Sequence, residues 1–264
     1  MVRSLAFLGD AGKRILCESW HREGSEPIGC VVLLPPFGEE MNRCRRVLAN
    51  LGAALGTLGL HTVLPDLSGT GDSDGDFGDA SVSVWYDDLD IVVRSLPDPT
   101  RLHLVAFRFG ALLVADVSKR YRCETATLVQ PLLTGDQLLR QLIRVRLAAS
   151  MFSGGRKETS DSLMTQLAGG ERLEFGGYEV SFDLYSQLKD LSLAEMQMSR
   201  IKQLYLIEIG SQQANTAFSN LVQTWSSDGG AADTSLVNCD AFWATQETSD
   251  CTKLIEVVAA KFKE

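Results

Sequence analysis

The chain has 264 residues, 45% of them hydrophobic and 22% charged, with a net charge of −9. This size and balance suit one globular core carrying an insertion. The acidic excess argues against nucleic-acid and anionic-membrane binding, and no apolar stretch is long enough for membrane insertion. Asp10, Lys13 and Arg14 interrupt any apolar run that a secretory leader would need. Six scattered cysteines (Cys17, Cys30, Cys44, Cys123, Cys239, Cys251) show no C-x-x-C pair and no metal-type spacing. No metal or other cofactor is expected, and buried reduced thiols in a cytoplasmic protein are the economical reading.

Residues 29–34 form a short continuous apolar run closed by Pro35-Pro36, which predicts a strand buried on both faces. A loop containing Phe37, Gly38, Glu39 and Glu40 follows, then an amphipathic helix over 42–58 ended by Gly59. The next strand spans 61–64, a loop rich in Gly, Asp and Ser runs over 65–79, and a helix covers 84–96. Residues 102–107 and 126–129 read as further strands, the first leading directly into a helix. Strands alternating with helices in this way predict an α/β fold with a mostly parallel central sheet and helices on both faces.

After Gln130-Pro131 the rhythm breaks. A strongly helical stretch over 136–151 interleaves Arg140, Arg144 and Arg146 with apolar residues, and Gly176-Gly177 sits in a hairpin pattern over 172–181. The three arginines read as the solvated face of that helix, with added positive potential over a pocket as the alternative. Strands resume over 203–209 and 235–238, and a last helix covers 250–262. The expected organisation is a core of 1–131 and 201–264 and a mainly helical lid of 132–200. A lid there would cover the strand C-terminal ends, where open α/β sheets bind ligands.

The most informative segment is Ala106-Phe107-Arg108-Phe109-Gly110, at the turn from a buried strand into a helix. A nucleophile elbow has this layout, written G-x-S-x-G, with a serine hydroxyl held at the apex. An arginine stays protonated and cannot attack a carbonyl. The loop Asp66-Leu67-Ser68-Gly69-Thr70-Gly71-Asp72-Ser73 and the order of elements add to the likeness. Together they resemble the α/β-hydrolase superfamily over nearly the whole chain.

A narrower resemblance rests on Pro35-Pro36-Phe37-Gly38-Glu39-Glu40-Met41-Asn42-Arg43, Arg108-Phe109-Gly110-Ala111-Leu112-Leu113, Gln130-Pro131 and Phe242-Trp243-Ala244-Thr245-Gln246-Glu247. These segments are similar to the exosortase A system-associated hydrolase 2 proteins. That resemblance implies a bacterial setting among exopolysaccharide and protein-sorting genes, and an arginine at the elbow.

The rest of a serine-hydrolase triad is missing from its usual places. No histidine follows His103, and His21, His61 and His103 all read as structural. Gln213 stands near the expected acid, and Glu208 lies within a strand as a weaker substitute. At the N-terminal end of a helix the cation of Arg108 needs a carboxylate or an anionic ligand. A buried pair with Glu40 or Glu39 is the economical reading. Capture of a carboxylate or phosphate by Arg108 is the functional one. Adjacent residues of an extended loop face opposite ways, so one of the two glutamates should face the pocket, where acid/base work is its functional reading and a solvated loop carboxylate its bland one.

Arg108, Phe37, Glu40, Phe109, Phe242, Trp243, Gln246 and Glu247 are the candidate ligand-binding residues, and no metal site is expected. The aromatics among them have packing beneath the lid as their bland role. The 66–73 loop reads as architectural, its glycines supplying positive φ and its aspartates fixing turns. The expected function is a non-catalytic binding or accessory protein for a small anionic or acylated ligand. The alternatives are a hydrolase or acyltransferase with a displaced active site using Glu40 or Glu39, with Ser68 or Ser73 as nucleophile, and a purely structural protein partner or homodimer.

Overall fold

The computed structural model describes residues 1–152, 158–196, 198–210, 215–227, 229–245 and 251–262. Strands β1 (Val2–Leu8), β2 (Ile15–His21), β3 (Cys30–Leu34), β4 (His61–Pro65), β5 (Leu102–Phe107), β6 (Cys123–Val129), β9 (Ile201–Ile209) and β10 (Ala231–Val237) form one sheet. Its order is β1-β2-β4-β3-β5-β6-β9-β10. From β4 to β10 every pairing is parallel, while β1 and β2 add antiparallel edge strands.

Strand periodicity divides the core between two faces. In β3, Val31 and Leu33 point to one face, and Cys30, Val32 and Leu34 to the other. In β5 the split is Val105 and Phe107 against Leu104 and Ala106. The first face is covered by α1 (Glu39–Thr57) and α8 (Thr252–Ala260), through Leu48, Leu51, Leu55, Leu254 and Val258. The second is covered by α2 (Val82–Arg94) and α3 (Gly110–Arg120), through Trp85, Leu89, Leu112 and Leu113. Each such aliphatic side chain contributes about 1.5–3 kcal/mol on burial, which fixes strand register, since a one-residue slip exchanges the faces.

Between β6 and β9 the chain builds α4 (Gly135–Phe152), α5 (Ser160–Ala168), the hairpin β7 (Leu173–Phe175) and β8 (Tyr178–Val180), and α6 (Phe182–Lys189). Leu138, Leu163, Phe175 and Leu184 of this segment join the same cluster as α2 and α3. The remaining helix, α7 (Thr216–Ser227), lies between β9 and β10 in sequence and buries Phe218 and Trp225.

Three sequence expectations change. Helix α1 begins at Glu39 rather than at residue 42, because Gly38 takes φ 56° at its N-cap and two acidic residues suit the positive helix end. Glu39 and Glu40 are therefore on a helical turn, not in an extended loop. Arg146 is not on a solvated face: it donates to Glu158 through Nε and Nη2 and to the Glu174 carbonyl, and its side chain is only 20% exposed. Finally β1, β2, α5, α6 and α7 carry no periodic signal that the sequence reading used. Most of β1 is exposed on both faces, so it lacks the alternation that marks a half-buried strand.

Candidate functional site

Strand order reverses at β3: α1 carries the chain to β4 on one side, and β5 lies on the other. A crevice opens at such a switch point, outside the strand C-terminal ends. The loop after β3 and the turn after β5 therefore meet there. Their approach depends on Gly110, where a Cβ would lie 2.4 Å from the Leu34 carbonyl oxygen and 2.7 Å from that of Pro35. Only glycine leaves room for this contact between α3 and the end of β3.

Arg108 occupies the apex of the turn with φ 53°. This left-handed conformation costs a non-glycine residue about 1–2 kcal/mol. Among the described residues Gln130, with φ 43°, is the other non-glycine held so, and the two are coupled. Arg108 Nη1 donates to the Gln130 carbonyl at 3.3 Å, and the Arg108 amide donates to the Val129 carbonyl at 3.0 Å. The Gln130 side-chain oxygen accepts from the Ile209 amide at 2.7 Å, securing the end of β9. Strain concentrated at one place in a fold marks a site held by its surroundings.

The guanidinium of Arg108 is forked onto Glu40. Nε donates to Oε2 and Nη2 to Oε1, each at 3.1 Å. The Arg108 side chain is 9% exposed and that of Glu40 22%. On its other side the guanidinium lies 4.8 Å from the ring centroid of Trp243, within cation–π range. The pair leaves no net charge at the apex and offsets the repulsion between a cation and the N-terminus of α3. Glu39 does not join it: Glu39 accepts from Asn42 at 2.9 Å, pairs with Arg43, and is 53% exposed. Successive residues on a helix diverge by about 100°, so α1 aims one glutamate at Arg108.

No histidine is available to this apex. His103 is the second residue of β5, five residues before Arg108, which places it about 16 Å away along the strand. It bonds Thr125 at 2.9 Å and packs on Phe262. His61 opens β4 and stacks on His21 at 5.5 Å. All three histidines thus lie at the N-terminal edge of the parallel strands. Glu208 is buried in β9, where both its oxygens accept from the Asn215 amide. Gln213, Gln246 and Glu247 lie outside the described residues.

The serines considered as displaced nucleophiles are committed elsewhere. Ser68 donates its hydroxyl to Asp88 at 2.9 Å. Ser73 donates to the Asp66 carbonyl at 2.5 Å and accepts from the Leu16 amide. The surrounding loop is a tight turn: a Cβ on Gly71 would lie 1.9 Å from an Asp66 carboxylate oxygen, which itself accepts from the Asp72 amide. Burial, with the charge of Glu40 adding to it, pushes the Cys44 thiol far up, so it stays protonated and is a poor nucleophile.

Above the pair lies a chamber of about 530 Å³. Phe37, Glu39, Glu40, Arg43, Arg108 and Trp243 line its core side. Leu138, Leu142 and Val145 of α4 and Phe175 of β7 supply an apolar roof. Phe109 and Phe242 are 2% exposed and sit in the core beneath. Phe109 packs edge-on against Phe37 and Trp85, and Phe242 against Phe107 and Trp243. Sequence reasoning missed the roof and Gln130. The two-sided polarity of α4 was the available signal for the roof, whereas the positive φ of Gln130 leaves no trace in composition.

No protein-family model matches the sequence, and no curated protein is a significant match to it. Solved structures do resemble it. Est1E from Butyrivibrio proteoclasticus, with ferulic acid bound, is 12% identical with a TM-score of 0.65, over 97% of this chain and 97% of that one. A thioesterase domain from the curacin biosynthetic pathway is 18% identical with a TM-score of 0.60, and both chains are wholly covered. Proline iminopeptidase from Mycobacterium smegmatis is 14% identical with a TM-score of 0.63, over 98% and 97%. These likenesses span the entire length and agree with the strand order and the elbow, so the chain has the α/β-hydrolase fold.

Proposed function

We propose that this chain is a binding or accessory protein built on a hydrolase fold, holding a small acylated ligand over Arg108 without cleaving it. The observation that carries this reading is the Arg108–Glu40 fork at the elbow apex. It fills the place of a nucleophile with a cation, and it commits both oxygens of the carboxylate best placed to act as a base. Trp243, in the loop after β10 where a catalytic histidine usually sits, backs the guanidinium instead. The chamber remains, with an apolar roof suited to a hydrocarbon chain and a polar floor to orient it. On this reading 132–200 serves as the lid. The likeness to exosortase-associated proteins supplies the setting, a cytoplasmic accessory role beside exopolysaccharide production. Among the described residues no helix is long and apolar enough to cross a membrane.

The test combines reactivity with binding. The purified protein is exposed to a fluorophosphonate probe and to p-nitrophenyl esters of increasing acyl length, and decanol binding is followed by calorimetry. Saturable decanol binding without labelling or turnover is the expected result. Labelling at Ser68 or Ser73, or turnover that Glu40→Ala abolishes, would overturn the reading in favour of a displaced active site.

A further inference from the structure

Helix α4 separates the apolar chamber from a second cleft of about 360 Å³. Leu138, Leu142 and Val145 line the first. Gln137, Arg140 and Arg144, spaced along a neighbouring stripe of the helix, line the second. Gln141 and Arg108 line both, so the two spaces lie side by side at the elbow apex.

The second cleft is unusual in charge. It is lined by three arginines and by no acidic side chain among the described residues, in a chain whose net charge is −9. Arg144 has no partner among the described residues. Arg140 pairs with Asp136 at 2.7 Å, but the two side chains are 65% and 43% exposed, so solvent weakens the pair. Arg108 spends three of its N–H groups on Glu40 and Gln130, and a guanidinium has five.

Resting on the binding reading above, we infer that this cleft is a head-group site: it takes the phosphate of an acylated ligand whose hydrocarbon chain lies under the roof of the adjoining chamber. A single guanidinium fork satisfies a carboxylate. Three arginines lining one space suit a group with more oxygens and about two charges. The amides of Gln137, Gln141 and Asn215 add neutral donors beside them. The volume exceeds the needs of a bare phosphate and leaves room for its ester linkage.

Decyl phosphate and decanol separate the head group from the chain. Their affinities are measured by calorimetry for the wild type and for Arg140→Glu/Arg144→Glu, two substitutions at solvent-facing positions. The expected result is that decyl phosphate binds the wild type at least tenfold more tightly than decanol. That gain should shrink as salt rises from about 0.05 to about 0.5 M and vanish in the double variant, with decanol affinity unchanged. Equal affinities in the wild type, or a gain that survives the double variant, would overturn the head-group site and leave the chain-binding reading standing. Failure of both ligands to bind the wild type would overturn both.

Discussion

The two edges of the parallel sheet both carry ionisable side chains, put to opposite uses. At the C-terminal edge, ionisable side chains face a chamber and are tied to one another: Arg108 to Glu40, with Trp243 behind. At the N-terminal edge, His21, His61 and His103 are packed between strands and against Phe262. The histidines that acyl-transfer chemistry would need are thus at the wrong end of the strands, and the apex that needs them carries an ion pair. The comparison shows that a catalytic inventory is a matter of position: among the described residues no histidine lies with a serine and a carboxylate at the elbow apex.

Removing one member of the ion pair should have the largest effect. Arg108→Met leaves Glu40 without its partner and the Gln130 carbonyl without a donor, and should cost about 3 kcal/mol of unfolding free energy. Arg108→Met/Glu40→Met should recover most of that loss, since two apolar side chains replace two desolvated charges. A double-mutant cycle by chemical denaturation measures the coupling. Additive losses below about 1 kcal/mol each would mean that the fork is incidental.

Next in size is Gly110→Ala. The new methyl group would press on the Leu34 and Pro35 carbonyl oxygens, and backbone at the end of a buried strand has little room to yield. A loss of about 2 kcal/mol is expected, together with weaker decanol binding as the β3 loop shifts away from Arg108. Unchanged stability would show that the elbow is looser than its geometry indicates.

The sheet, the elbow and the lone Arg108 were legible in the sequence because each has a strong local signature. Residues 30–34 are continuously apolar, and a strand-turn-helix around Gly110 has few other meanings. The partner of Arg108 was legible only as a choice between Glu39 and Glu40. What decides it is the start of α1 at Glu39, whose first turn presents Glu40 to Arg108 and leaves Glu39 53% exposed beside Arg43. The second cleft was hidden for another reason. Arg140 and Arg144 read as an exposed helical stripe, with positive potential over a pocket as the alternative, and only the position of α4 against Arg108 and Pro131 makes that stripe the wall of a cavity.

Trp243→Leu should have a smaller effect than either substitution at the elbow. It removes the cation–π contact while keeping an apolar surface against Phe242, for a cost of about 1 kcal/mol. The same variant should lose the tryptophan fluorescence response to decanol, which denaturation alone would not reveal. A full response in the variant would assign the signal to another tryptophan and place the ligand elsewhere.

The smallest effect belongs to the opposite edge and has a defined sign. Burial, reinforced for His61 by the neighbouring His21, holds the His61 imidazole below the usual histidine range. Burial likewise lowers His103, with Glu124 opposing and Lys202 assisting. The folded state therefore favours neutral rings. Their contribution is fully present above the unfolded value of about 6.5 and is lost as pH falls below it, because the unfolded chain takes up protons first. Stability should begin to decline as pH falls below about 6.5, above the normal titration of carboxylates. His61→Gln/His103→Gln should flatten that decline, whereas Arg108→Met/Glu40→Met should leave its slope unchanged. An equal slope in the histidine variant would detach the pH response from this edge, and a change in the elbow variant would show that the two edges are coupled through the sheet.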